Sequence, residues 1–239
     1  MPNPIVTLVE DEMAAFRELQ FVHPELFPEN DRLYPVPFFG DIRRAEVVTL
    51  ALNPSYKEFS PNERWPIGSG PGALNPLALT NRLLSYFHSA KRPPNNWFTA
   101  IENGMSALGW SYQTNAAHID VHPFPTKFSR EMNQAQKEIL ARIIQARSAD
   151  HMISVLALCE QVKLIIVIGY AVPLVGGGNS NAFEFVRDRL TPLAGLVDEA
   201  GHEPPLLDGE GYDEFSRALG LRHDIKSFLI KAPRLIFSP

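Results

Sequence analysis

Two short runs, Val47-Val-Thr-Leu-Ala-Leu52 and Val162-Lys-Leu-Ile-Ile-Val-Ile168, consist almost wholly of apolar residues. Neither alternates polar with apolar, as a strand with one wet face would. Both are shorter than an ordinary helix. Runs of this kind are central strands buried on both faces, which points to a parallel sheet. Parallel neighbours need crossover connections, usually helical.

The sequence between the runs supplies such connections. Helical spacing of apolar residues predicts helices at Asp11–Gln20, Leu77–Phe87 and Asn96–Leu108, the last closed by Gly109. Arg130–Leu158 reads as one helix or two. Tyr112–Val121 reads as a strand ended by Pro123 and Pro125. Further helices are expected near Phe183–Leu190 and Asp213–Leu219, and a last strand within Lys226–Phe237. His23–Phe39 holds Pro24, Pro28, Pro35 and Pro37, so it is expected as an extended arm rather than a helix, turning at Gly40-Asp41. The expected class is α/β, a three-layer α/β/α sandwich around a mostly parallel four-stranded sheet. Residues 1–36 would form an acidic, proline-rich N-terminal arm, and 37–239 one α/β domain.

Composition narrows the setting. No apolar run approaches the ~20 residues that span a bilayer. Met1–Glu12 carries three acids and no base, so a secretory signal is not expected and the cytoplasm is. The single cysteine, Cys159, can form neither an internal disulfide nor a cysteine-ligated metal site, and its apolar helical context reads as core. Net charge is −5, which argues mildly against a dedicated nucleic-acid binder. The charge is uneven, however. Residues 1–31 hold seven acids and one base, whereas 121–147 hold five bases and two acids, and 217–239 five bases and one acid. Such a chain can still present one positive face.

In parallel sheets the ligand crevice lies beyond the carboxyl ends of the strands. Three segments fall there: Asn53–Phe59, Asp120–Lys127 and Gly169–Asn181. In the first, Asn53 offers an amide at the end of a buried strand, and it can hold a water or polarise a substrate group without charge. Residues 57–76, rich in Pro, Gly, Asn and Ser, form a long loop of the kind that carries function. In the second, His118, Asp120 and His122 share a face if the strand runs through them. That set suits a metal, or equally a hydrogen-bonded polar row. The Pro-Phe-Pro turn would place Phe124 at the rim, where a base can stack. In the third, Gly169 lets the chain turn closely over the rim. Neither a dinucleotide-binding glycine pattern nor a phosphate-binding loop is present.

Together these segments resemble the uracil-DNA glycosylase superfamily over roughly residues 37–175. Ala51-Leu-Asn-Pro-Ser55 is similar to the family's Gly-x-Asn-Pro-Gly motif, with Asn53 on the catalytic position. Ile119-Asp-Val-His-Pro-Phe-Pro125 looks like the proline-containing loop after the next strand, and Leu164–Gly169 like the family's Ile-Ile-Val-Ile-Gly strand. The resemblance implies hydrolysis of an N-glycosidic bond in DNA, with Asn53 orienting the attacking water. It implies a base pocket drawn from Leu52, Ser55, Tyr56, Phe59, His122, Phe124 and Gly169, with Lys127 and Arg130 holding phosphate. The expected partner is DNA or a nucleobase-containing ligand, bound by a monomer away from any membrane, with no cofactor and no metal. The sequence departs from the family in three ways. Ala51 and Ser55 replace two glycines, no His-Pro-Ser loop follows Arg234-Leu-Ile-Phe237, and the four cysteines of the iron–sulfur branches are missing. A non-catalytic nucleic-acid- or nucleotide-binding protein of the same fold, and a metalloenzyme built on His118, Asp120 and His122, are the alternatives.

Overall fold

A computed structural model describes residues 2–27, 33–51, 53–54, 56–59, 74–88, 96–107, 109–126, 131–162, 164–168 and 225–229. Helix α1 spans Pro4–Val22. It begins about two turns before the apolar spacing predicts, with Pro4 in the first helical position, where its missing N–H costs nothing. Asn3 caps it, with Oδ1 accepting from the Ile5 N–H at 3.0 Å. Strand β1 follows at Val47–Ala51, then the short helix α2 at Tyr56–Phe59, α3 at Pro76–Leu84 and α4 at Asn96–Ala107. Strand β2 spans Ala116–Asp120, helix α5 Gln134–Ala157, strand β3 Leu164–Ile168 and strand β4 Ile225–Leu229.

The long helical stretch is one helix, not two. Asn133 and Gln136 form a reciprocal capping box at its start, and no Pro or Gly interrupts it before Ala157. Helix α4 ends at the expected glycine, where Gly109 takes φ of 80°.

The strands lie in the order β2-β1-β3-β4. The first three are parallel, with Val47 opposite both Ala116 and Leu164. The parallel part of the sheet therefore has three strands, not four. β4 runs antiparallel along β3, pairing Leu164 with Leu229. The fold is mixed helix and strand around this small parallel sheet. The helices expected near Phe183–Leu190 and Asp213–Leu219 lie outside the described residues.

One apolar core joins the sheet to the helices. Helix α1 sends Ile5, Val9, Met13 and Phe16 into it, spaced at three and four residues along one face. The acidic N-terminal segment is thus built into the core rather than laid over it. A turn at residues 24–26 follows α1, and from Leu33 the chain covers the free edge of β2. Phe39 exchanges backbone hydrogen bonds with His118 at 2.8 and 2.9 Å, and the Val36 N–H reaches the Pro123 carbonyl at 2.7 Å. Gly40 then turns the chain with φ of 88°, its N–H bonded to the Leu83 carbonyl. A Cβ at Gly40 would stand 2.8 Å from the Phe87 ring.

No helix among the described residues is long and apolar enough to cross a membrane. Cys159 is buried, and burial pushes its thiol up to about 12, as a core cysteine's would be.

Candidate active site

The ends of β1 and β2 meet at the carboxyl rim of the sheet. The Val121 N–H donates to the Ala51 carbonyl at 2.7 Å, extending the β1–β2 ladder by one step. Beyond it the two exit loops bond to each other. The Tyr56 N–H donates to the Thr126 carbonyl at 3.3 Å, and the Thr126 N–H to the Pro54 carbonyl at 3.4 Å.

Asn53 sits within this junction, half-buried. Its Nδ2 donates to Thr126 Oγ1 at 2.7 Å and to the Pro54 carbonyl at 3.1 Å. Both amide protons are thereby engaged, and the orientation of the amide is fixed. Oδ1, an acceptor with two lone pairs, takes no hydrogen bond among the described residues.

A buried polar chain runs along the same face of β1 and β2. The Tyr112 hydroxyl lies 2.6 Å from Thr49 Oγ1, which lies 2.8 Å from His118 Nδ1. His118 Nε2 then lies 3.3 Å from Asp120 Oδ1. Thr49 pairs with His118 and Ala51 with Asp120 across the ladder. Burial raises the Tyr112 phenol well above its ordinary value, so it stays protonated and donates. Thr49 Oγ1 also donates to the Ala117 carbonyl at 3.4 Å. The aromatic rings of Phe39 and Phe98 pack on His118, each with its centroid 5.1 Å away.

His122 does not join that row. Its neighbours are Phe124, whose N–H reaches its Nδ1 at 3.4 Å, and His151 of α5. Burial, with the nearby His151, holds the His122 imidazole down at about 3, so it is neutral. The strand ends at Asp120, and the turn that follows breaks the alternation that would put His122 beside His118. Among the described residues, no group of three or more His, Cys, Asp or Glu side chains is placed to hold a metal ion.

Two aromatic residues expected in the base pocket are core residues instead. Phe124 is fully buried and lies flat against Phe16 of α1 at 5.3 Å, edge-on to Phe27, with the Arg147 guanidinium 5.8 Å from its centroid. The Pro-Phe-Pro turn does hold the ring rigidly, but aims it inward. Phe59 is likewise buried, against Phe39 and Tyr86 at 5.7 and 6.5 Å. Neither ring offers an open face for stacking. Tyr56 remains half-buried at the start of α2. Leu52, Ser55, Lys127, Arg130 and Gly169 lie outside the described residues.

Three polar features escaped sequence reasoning. Thr126 anchors Asn53, which only the β1–β2 register reveals. Glu58 of α2 accepts a buried hydrogen bond from the Tyr86 hydroxyl. Glu12 of α1, buried at 5% exposure, bonds to His151 Nδ1 at 2.9 Å and faces Arg147 at 3.8 Å. Among the described residues, Glu12 Oε2, His122 Nε2, Ser148 Oγ and His151 Nε2 are buried without hydrogen-bond partners.

Compared with known proteins, the chain matches no family model, no curated protein and no solved structure.

Proposed function

We propose that this protein is a DNA glycosylase-like hydrolase, which cleaves the N-glycosidic bond of a damaged or deaminated base such as uracil. In this reading the fold is a three-layer α/β/α sandwich of the uracil-DNA glycosylase type, working as a cytoplasmic monomer without a cofactor. Asn53 is its catalytic amide. One observation carries the reading: Asn53 follows the central strand β1, and both protons of its Nδ2 are engaged by Thr126 and Pro54. What remains is a fixed acceptor at the sheet rim, suited to orient a water toward a sugar carbon. The base must first leave the duplex stack, at a cost of a few kcal/mol. Leu52, Ser55, Tyr56 and Gly169 are then the residues proposed to contact it, and Lys127 and Arg130 those to hold phosphate. His122, Phe59 and Phe124 support the pocket from behind rather than touch the base.

Incubation with duplex and single-stranded oligonucleotides carrying uracil, hypoxanthine or a mismatched thymine tests the reading directly. Alkali-labile abasic sites are the expected product. Intact strands for every base would overturn it.

The alternative is a non-catalytic member of the same fold that binds nucleic acid or a nucleotide. It is favoured by the burial of Phe59 and Phe124, which removes two stacking surfaces, and by the net charge of −5. Affinity for DNA that falls steeply with salt marks backbone contacts, whereas binding of a free nucleobase hardly responds to salt.

A further inference from the structure

Asp120 is a second reactive group at the same rim. It ends β2 directly opposite Ala51, two residues before Asn53. Its side chain shares a face with His118, which bonds to Thr49 across the ladder. The residue is 2% exposed, yet only one of its oxygens is engaged: Oδ1 meets His118 Nε2, while Oδ2 carries no hydrogen bond among the described residues.

Behind Asp120 stands a buried row. Tyr112 lies against Thr49, Thr49 against His118, and His118 Nε2 lies 3.3 Å from Oδ1. A hydrogen bond donated to a carboxylate holds its plane. Asn53 is fixed in the complementary sense, with its donors spent and Oδ1 left open. The ends of two adjacent strands thus present two acceptors, Asn53 Oδ1 and Asp120 Oδ2. Two acceptors suit one water molecule, because they take its two protons and leave its lone pairs directed away.

We infer that Asp120 is the general base of the reaction, taking a proton from the water that Asn53 orients. The inference rests on the glycosylase reading above. The water oxygen forms the new bond to the anomeric carbon of the sugar. The bond from that carbon to the base nitrogen breaks, and its electron pair leaves with the base. One water proton moves to Asp120 Oδ2, and the other stays on the new sugar hydroxyl. The proton on Asp120 then passes through solvent to the departed base, which restores the carboxylate and leaves the base neutral. His118 is a positioning residue in this scheme, and Thr49 and Tyr112 hold its ring in place.

The test is single-turnover cleavage of the best oligonucleotide substrate by the wild type, Asp120→Asn and Asp120→Ala, across pH 4–9. Asp120→Asn should lower the rate at least about 100-fold, the usual contribution of a positioned base, with DNA affinity within about twofold of wild type. The wild-type rate should fall on the acid side, and that limb should vanish in Asp120→Asn. Added formate should restore part of the rate to Asp120→Ala and none to Asn53→Ala. A wild-type enzyme whose rate is flat in acid overturns the role of Asp120 even if the variants fail to fold. Active wild type with Asp120→Asn at the same rate overturns it while leaving the glycosylase reading standing. A wild type that cleaves no base overturns both.

Discussion

Thr126 Oγ1 accepts a 2.7 Å hydrogen bond from Asn53 Nδ2, and this contact joins the loops that leave β1 and β2. The two residues are 73 positions apart in sequence. Their meeting follows from the parallel register, which sets Ala51 beside Asp120. Replacing the hydroxyl with a methyl group keeps the shape and removes the bond. Thr126→Val should lower kcat about fivefold, the worth of roughly 1 kcal/mol of hydrogen bonding, while KM stays within about twofold. Thr126→Ser should keep most of the rate. Equal loss in both variants would mean that the methyl packing, not the hydroxyl, supports Asn53.

Gly40 provides a stability test of the rim's scaffold. It takes a left-handed φ of 88°, and a Cβ there would meet Phe87 at 2.8 Å. Gly109 has a similar φ of 80° but open space around it. Gly109→Ala should cost about 1 kcal/mol from backbone strain alone. Gly40→Ala should cost about 2–4 kcal/mol, because overpacking of Phe87 adds to the strain. Urea denaturation of the two variants checks the order.

Phe124 should behave as a core residue. Phe124→Ala should destabilise the protein by about 3–5 kcal/mol. The cost should not add to that of Phe16→Ala, because each truncation removes the same stacked contact. Phe124→Leu should fold and retain its affinity for substrate. A marked loss of substrate affinity in folded Phe124→Leu would restore the ring to the base pocket.

His122 makes stability depend on pH. Its folded value of about 3 lies below the unfolded value near 6.5. The unfolded chain therefore binds the extra proton first. Stability is full above pH 6.5 and declines as pH falls toward 3, with a slope for this residue of at most about 1.4 kcal/mol per pH unit. Glu12 faces both His151 and Arg147 in the same region. Denaturation midpoints of the wild type and His122→Gln, compared from pH 7 to pH 4, should diverge at neutral pH and converge in acid.

The centre of the sheet was legible because β1 and β3 are short and almost wholly apolar. Val47–Ala51 and Leu164–Ile168 match the apolar runs to within two residues. The end of α4 was legible because Gly109 marks it. Asn53 stood out as an amide directly after a buried strand. Other features depended on long-range geometry that local pattern does not carry. Pro123 and Pro125 specify a rigid turn, but which side of it Phe124 faces is decided by Phe16, more than a hundred residues earlier. The apolar face of α1 was visible, yet Glu12 on that face finds its partner in His151, 139 positions away. The antiparallel direction of β4 has no signature in its own residues. The sequence left His118, Asp120 and His122 open as a metal set or a polar row, because strict alternation would carry on to His122; the strand ends at Asp120, and only His118 and Asp120 share the row.

The central claim is that Asn53 orients the attacking water. It is tested most directly by the rate of abasic-site formation in wild type and Asn53→Ala on the same oligonucleotides, with thermal melting measured alongside. The account predicts cleavage by the wild type and a loss of about 100-fold or more in Asn53→Ala, at a melting temperature near that of the wild type. Cleavage at an unchanged rate in Asn53→Ala, or none by a folded wild type, would contradict it.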